Sequence, residues 1–189
     1  AALCEAALAA PIGSAPLEAR VRPGDRVTLI VSDRTRDEPR AAFVDAVRAR
    51  LPAVRLTVAI ACGTHGATGG LGAIGLGHVR DVAVVDHDGL DDDALVAVGT
   101  TSRGTPVVVH RACVEADLIV ATGVIRGHYF AGFGAGAKAI FPGLAATASA
   151  RRNHEWKRDP AARGGAVDDN PCRLDLEEAA ALAAPNASL

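Results

Sequence analysis

Aromatic residues and methionine are scarce in this sequence, and each scarcity is informative. Aromatics make up 3% of the 189 residues and hydrophobic residues 49%, so alanine, valine, leucine and isoleucine must fill the core. Such a composition is typical of α/β proteins whose parallel strands are buried on both faces. There is no methionine at all, not even an initiator, and we therefore expect the chain to be a fragment of a longer polypeptide.

The sequence also lacks a strong net charge and a long apolar run. Its 20 basic and 22 acidic side chains leave a net charge of -2, and no basic run contains interleaved aromatics. We therefore expect no nucleic acid partner. No apolar run approaches the roughly 20 residues that span a bilayer, and the Ala-rich start carries Glu5 without a basic segment, so neither a membrane span nor a signal peptide is expected.

Closely spaced cysteines are missing as well. The four cysteines are far apart in the sequence and form no C-x-x-C pair, which predicts neither a zinc knuckle nor a disulfide scaffold. Reduced thiols in a cytoplasmic protein are the expected state.

Apolar runs and helical spacing predict an α/β fold with a mostly parallel sheet flanked by helices. Residues 26–33 and 54–65 have the pattern of buried strands, and residues 38–51 between them have helical spacing, which indicates a parallel βαβ unit. The pattern predicts further strands at 82–89, 95–101, 104–110 and 116–125, the second and third of these paired, and helices over 144–150 and 175–184.

Polar stretches follow three of these strands. They are SDRTR at 32–36, CGTHG at 62–66 and the loop HYFAGFGAGAKAIFPG at 128–143. Because ligands of open α/β sheets bind at the carboxyl ends of the strands, we expect the three stretches to meet in one crevice. The Gly-rich segment 66–77 is expected to be a mobile loop.

The glycine loop at 128–143 fits neither of two well-known phosphate-binding motifs. A P-loop needs Ser or Thr after its lysine, where Ala139 follows Lys138, and a dinucleotide fingerprint needs glycine at Ala137. A backbone nest for a phosphate and an ordinary packing turn both remain open. Only Lys138 and Lys157 of the 20 basic residues are lysines, which suggests that Lys138 is present for its amine.

Three histidines have both an ordinary and a functional interpretation. His65 and His128 each follow a predicted strand, either as hydrogen-bonded loop residues or as an acid/base pair near neutral pH. His154 is either a surface residue or a ligand for nickel, zinc or copper. We interpret the remaining histidines, His78, His87 and His110, as structural.

The SDRTRDEP stretch also allows two interpretations. It is either a solvated turn with Asp37 as the N-cap of the next helix, or a ligand-binding segment. In the second case Asp33 accepts hydrogen bonds from ligand hydroxyls, and Arg36 binds a carboxylate or phosphate with its two-pronged guanidinium.

The order of these motifs resembles the N-terminal domain of the nickel-dependent lactate racemase family. The motifs are SDRTR, GTH, DHD, GTTSRGTPV, ADLIVATG, HYFAGFGAGAKAIFPG and NHEWKRDPAARGGAVDDNP, and the resemblance extends over about residues 26–180. The most specific part is the glycine loop, whose lysine lies ten residues after His128 and sixteen before His154. The resemblance implies a Rossmann-like N-terminal domain of a two-domain family.

The resemblance also implies a cofactor and its binding residues. The cofactor is a nickel-pincer nucleotide, bound covalently to Lys138, with its nickel ligated by His154. Phe130 and Pro142 are implied to flank the pyridinium ring. The residues implied to contact the nucleotide are Asp33, Arg34, Thr35 and Arg36, and Arg36 is also implied to bind the substrate carboxylate.

The implied activity is racemisation or epimerisation of a small, lactate-like 2-hydroxy acid. His65 and His128 match the two acid/base residues, which exchange the hydroxyl proton while the cofactor accepts a hydride and returns it. The implied partners are the 2-hydroxy acid and the enzymes that mature the cofactor.

The sequence departs from the family in three places. Gly66 replaces a residue that is commonly basic, and Gly134 and Ala135 replace Ser and Gly. The family's second α/β domain is absent from residues 1–189, which we expect to form only the cofactor-binding domain. A non-catalytic nucleotide- or metal-binding module and a nucleotide-dependent oxidoreductase therefore remain alternatives.

Overall fold

The computed structural model describes residues 2–184 and 187–188. In chain order its helices and strands are α1 (Ala2–Ala9), β1 (Arg26–Ser32), α2 (Arg40–Arg50), β2 (Arg55–Ala61), β3 (Ala83–Asp86), β4 (Leu95–Thr100), β5 (Pro106–His110), α3 (Arg111–Val114), β6 (Leu118–Ala121), β7 (Gly127–His128), β8 (Gly132–Phe133), α4 (Ala137–Ile140), α5 (Thr147–His154), α6 (Pro171–Ala183) and β9 (Ala187–Ser188).

The main sheet is parallel and has the strand order β3-β2-β1-β6-β9. The chain builds outward from β1 to β3 and then crosses back to place β6 on the other side of β1. The point between β1 and β6 is therefore a topological switch point, where open α/β sheets bind their ligands. The predicted α/β fold with a mostly parallel sheet flanked by helices is confirmed.

Apolar cores cover both faces of the sheet. On one face Leu29 and Val31 pack with Val44 and Val47 of α2. On the other face Ile30 lies in a core that includes α4 and α6. Because successive residues of a strand point to opposite faces, this double burial accounts for the continuous apolar run in β1.

The strands β4 and β5 form a separate antiparallel pair, as the sequence predicts, with an irregularity between Ala97 and Gly99. A shorter hairpin, β7–β8, begins the glycine loop.

Several boundaries differ from the predictions, and three of the differences have a clear physical reason. Helix α2 begins at Arg40 with Pro39 at the N-cap position, so the interpretation of Asp37 as N-cap is wrong. The strand predicted at 116–125 ends at Ala121, because the chain leaves the sheet after Thr122, whose amide and hydroxyl both donate to the carbonyl of Ile30. The helix predicted over 144–150 begins at Thr147, since residues 144–146 instead form backbone hydrogen bonds with β5.

The Gly-rich segment 66–77, expected to be mobile, is anchored by Asp86. The amides of Thr68, Gly69 and Gly70 donate to the Asp86 carboxylate at 2.7–3.0 Å. A 3-10 helix follows at Leu71–Ile74, and Ile74 is buried. Among the described residues, no helix has both the length and the apolar character needed to cross a membrane.

Candidate active site

A pocket of about 360 Å³ lies at the carboxyl ends of β1 and β2, at the switch point. Its walls come from the ends of these two strands, the glycine loop and the end of α5. The expected convergence of the three polar stretches is therefore confirmed. Eight of the ten predicted site residues line the pocket, namely Asp33, Arg36, His65, His128, Phe130, Lys138, Pro142 and His154.

Asp33 and His65 form a hydrogen-bonded pair at the strand ends. The Nδ1 atom of His65 lies 2.7 Å from Oδ2 of Asp33. The Asp33 side chain is 5% exposed and that of His65 51% exposed. Burial raises the pKa of Asp33, but hydrogen bonds from Thr35 and His65 outweigh burial and leave this pKa below its ordinary value. An ionised Asp33 holds the proton of His65 on Nδ1 and leaves Nε2 free as a proton acceptor.

Thr35 and Arg34 do not line the pocket. The amide and hydroxyl of Thr35 donate to Oδ1 of Asp33 at 2.9 and 2.5 Å, and its hydroxyl accepts a hydrogen bond from Arg36 at 3.0 Å. Thr35 therefore supports both Asp33 and Arg36 from outside the pocket. Arg34 is exposed beside them.

His128 is held in one tautomer by the backbone. Its Nδ1 accepts a hydrogen bond from the amide of Ala131 at 3.2 Å, so a neutral ring carries its proton on Nε2. The ring stacks on Tyr129 and meets the edge of Phe130, with centroids 5.1 and 4.6 Å apart. Burial, together with the positive charges of Lys138, Arg36 and His154, lowers the pKa of His128 to about 4.

Lys138 and His154 are half-buried residues that line the pocket. Burial, and then the charge of Arg36, lowers the pKa of Lys138. None of the ion pairs formed within the described residues includes this amine. Burial, and then the charges of Lys138 and Lys157, lowers the pKa of His154 to about 4. Its Nε2 is buried and has no hydrogen-bond partner among the described residues.

Two glycines of the loop at 128–143 allow close backbone packing, and a third has a positive φ before α4. A Cβ atom on Gly132 would overlap the carbonyl oxygen of Ala166, and one on Gly143 would overlap that of Ala139, so these two glycines are needed for backbone packing. Gly136 precedes α4 with φ +59° and has open space around its Cα. The loop is tied to β2 because the amide of Gly63 donates to the carbonyl of Gly143 at 2.9 Å.

The three remaining histidines have structural roles, as predicted. The Nε2 of His87 lies 2.9 Å from the carbonyl oxygen of Ala145, and His110 caps α3 by accepting from the amide of Ala112. His78 lies 3.1 Å from the carboxylate of Asp45 on the surface.

Three further residues contribute to the site but were not predicted from the sequence, namely Lys157, Tyr129 and Arg40. Lys157 and Tyr129 line the pocket. The scarcity of lysine could have identified Lys157, the second of two lysines and only three residues after His154. Arg40 bonds to the backbone of the 32–36 stretch, and no sequence pattern indicated this.

The described residues contain no cluster of three or more side chains that could hold a metal ion. The pocket provides instead one buried imidazole nitrogen without a partner among the described residues, on His154, the amine of Lys138 and the cationic Arg36 and Lys157. The positive charges of Lys138, Arg36 and Lys157 favour an anionic ligand.

Residues 1–165 match the family described as the lactate racemase N-terminal domain. The chain belongs to this family. Two lactate racemases are similar in sequence, from Thermoanaerobacterium thermosaccharolyticum (32% identical over 183 residues) and from Lactiplantibacillus plantarum (31% over 188 residues). These matches cover 92% and 95% of this chain but 43% and 44% of the relatives, so the chain spans less than half of their length.

Two solved structures have the same fold as this chain. The lactate racemase apoprotein of T. thermosaccharolyticum superimposes with a TM-score of 0.89 at 31% identity, over 99% of this chain and 46% of that one. A crystal structure of a Thermotoga maritima protein has a TM-score of 0.71 at 20% identity, over 95% of this chain and 46% of the other, and shows the same fold.

Proposed function

We propose that this domain is the cofactor-binding part of a racemase or epimerase for a small, lactate-like 2-hydroxy acid. In this proposal residues 1–189 carry a nickel-pincer nucleotide on Lys138 and act together with a second α/β domain in the cytoplasm. The observation that carries the proposal is the meeting of Lys138, His154, His65 and His128 in one cationic pocket.

Lys138 and His154 are suited to hold the cofactor. A lowered pKa leaves more of the lysine amine in the neutral, nucleophilic form that a covalent bond requires. The buried Nε2 of His154, which has no partner among the described residues, is free to ligate nickel. Phe130 and Pro142 line the pocket where they would flank the pyridinium ring. When bound, the cofactor supplies a hydride acceptor for the Cα–H bond, which is too weakly acidic for a side-chain base.

Other residues of the pocket bind the polar groups of cofactor and substrate. The Asp33–Arg36 stretch contacts the nucleotide, with Thr35 acting through Asp33 and Arg34 from the exposed rim. The guanidinium of Arg36 binds the substrate carboxylate, which it can contact with two parallel hydrogen bonds.

The neutral rings of His65 and His128 carry their protons on different nitrogens, so one can accept a proton from the substrate hydroxyl and the other can donate one. His65 donates from Nδ1 to Asp33, so its Nε2 can take the hydroxyl proton. His128 accepts at Nδ1, so its Nε2 carries a proton toward the pocket. A bound anion would offset the charges of Lys138 and Arg36 and raise the pKa of His128 toward the range that suits acid/base catalysis. The two imidazoles exchange roles in the reverse direction.

The first experiment is intact mass and metal analysis of the protein co-expressed with cofactor-maturation enzymes. We expect an added mass of a mononucleotide-sized group and stoichiometric nickel, both lost in Lys138→Ala. Lys157→Ala is the matched control, since it removes the other pocket lysine and should keep the adduct. An adduct that persists in Lys138→Ala would contradict the proposed attachment.

The same experiment separates the alternatives. With no adduct and no nickel, under conditions that load a known lactate racemase, the pocket would be a binding module without this cofactor. If, in addition, a free dinucleotide bound tightly, a nucleotide-dependent oxidoreductase would be favoured. If the adduct and nickel are present, racemisation of short 2-hydroxy acids by the longer protein tests the activity itself.

A further inference from the structure

The last residue of β1, Ser32, has no strand beside it on the β6 side. In a parallel sheet, residues two apart direct their backbone groups to the same neighbouring strand. Ile30 bonds through its carbonyl to Thr122, so Ser32 also faces the β6 side. There, however, strand pairing ends with Ile30 and Ala121. The backbone groups of Ser32 therefore need other partners at the switch point.

Two side chains supply these partners. Oε1 of Glu38 accepts from the amide of Ser32 at 3.3 Å, and Nε of Arg40 donates to its carbonyl at 2.7 Å. Glu38 and Arg40, the edge pair, also form an ion pair at 3.7 Å, with side chains 2% and 11% exposed. The edge pair thus makes the bonds that a continued β6 would have made.

The edge pair also holds the loop that carries Asp33 and Arg36. The same Arg40 guanidinium donates to the carbonyls of Asp33 and Arg36, in addition to that of Ser32. On the opposite side, a Cβ on Gly123 would lie 3.9 Å from Oε2 of Glu38. The pair therefore lies between the site loop and the chain that follows β6.

We infer that Glu38 and Arg40 are positioning residues that take the place of a strand at the switch point and fix the Asp33–Arg36 loop for ligand binding. This inference rests on the proposed function only for the identity of the ligand that the loop binds. A lysine cannot replace Arg40, because one ammonium group cannot reach three carbonyls in the fan that a guanidinium spans. Glutamine can replace Glu38, because its amide oxygen still accepts from Ser32.

Two measurements on the 189-residue protein test the inference. The first is amide hydrogen exchange at Ser32, Thr35 and Arg36, compared with strand β2. The second is the affinity for nicotinic acid mononucleotide, a pyridinium mononucleotide probe. We expect Arg40→Met and Arg40→Lys to speed exchange at Thr35 and Arg36 and to weaken the probe, each on the order of tenfold, with β2 unchanged.

The Glu38 variants and a matched control complete the test. Glu38→Gln should retain the protection of Ser32, and Glu38→Leu should lose it. Arg48→Met is the control, because Arg48 lies on the same helix but bonds to the carbonyl of Arg80, away from the pocket. Unchanged exchange at Thr35 and Arg36 in Arg40→Met, or equal effects in Arg48→Met, would overturn the inference.

The probe also distinguishes this inference from the proposed function. If the wild-type protein does not bind the mononucleotide, the nucleotide part of the proposed function loses its support. The exchange measurements still decide whether the edge pair fixes the loop.

Discussion

Asn153 and His154 are neighbours at the end of α5, yet they differ in hydrogen bonding: the side chain of Asn153 has partners within the protein, and Nε2 of His154 has none among the described residues. The amide nitrogen of Asn153 donates to the carboxylate of Asp175 at 2.7 Å, and Thr101 and Thr105 donate to the same carboxylate at 2.6 and 2.8 Å. We call these four residues the buried network. The ring of His154, one residue later, has a buried Nε2 with no partner among the described residues.

The difference separates residues that hold the fold from residues that we propose bind the cofactor. In the buried network, the carboxylate of Asp175 is fully buried and accepts a hydrogen bond from each of three side chains. His128, Lys138 and His154, the basic side of the pocket, are held instead at lowered pKa values by burial and mutual repulsion. A buried polar group without a partner, such as Nε2 of His154, costs free energy, and in the proposed function the cofactor offsets this cost.

The largest expected effect lies in the buried network. Asp175→Ala removes the shared acceptor of three buried donors, of which Asn153 alone keeps another acceptor, the carbonyl of Cys172, and it should lower the free energy of unfolding by about 3 kcal/mol or more. Chemical denaturation measures it. Glu178→Ala is the control, because Glu178 bonds to Ser102 of the same hairpin at the surface and should have little effect. A small effect of Asp175→Ala would show that the network does not stabilise the fold.

A smaller effect is expected on the pH dependence of the free energy of unfolding, to which His128 on the basic side of the pocket contributes. His128 has a pKa of about 4 in the folded protein, below the ordinary value of about 6.5, so the unfolded chain binds more protons between these values. The stability contributed by neutral His128 is full above pH 6.5 and is lost as the pH falls toward 4. His128→Gln should therefore flatten the dependence of the free energy of unfolding on pH in this window.

An NMR titration of His128 sharpens this prediction. Nicotinic acid mononucleotide should raise the pKa of His128, because its phosphate offsets the charges of Lys138 and Arg36. Sodium chloride at equal ionic strength is the control. A pKa that stays near 4 in the presence of the mononucleotide would mean that the anion does not bind beside His128.

The smallest effect is expected at Lys138. Lys138→Met removes a partly buried amine that has neighbouring positive charges, and it keeps the length of the side chain. We expect the free energy of unfolding to stay constant or to rise by roughly 1 kcal/mol, as is common at functional sites. Thermal unfolding measures this change. A clear loss of stability would place Lys138 with the residues that hold the fold.

The sequence predicted those parts of the fold that depend on local pattern. The apolar runs of β1 and β2 indicated buried parallel strands because both faces of the sheet are covered. The end of β6 was predicted four residues too late, since the run continues to Ile125 while the chain leaves the sheet after Thr122. When a strand ends because the chain leaves the sheet, no local pattern of residues marks the boundary.

The candidate site shows the same limit. The rule that ligands bind at the carboxyl ends of strands predicted that the three polar stretches lie close together. It predicted no distances between their residues. The hydrogen bond between Asp33 and His65 joins residues from different strands, and the three contacts of Arg40 depend on the switch point. Asp86 was not singled out, although it anchors the Gly-rich segment. Such contacts arise from topology, which single-sequence patterns do not encode.

The edge pair has a consequence for how this crevice can change in evolution. Strands in a sheet keep a spacing of about 4.8 Å, so a crevice bounded by two paired strands has a fixed width. Here side chains of Glu38 and Arg40 act as spacers between the end of β1 and the chain after β6. If these two side chains fix the loop as we infer, their length influences the opening of the crevice. A single substitution in this pair can alter the size of ligand admitted while the sheet register stays intact.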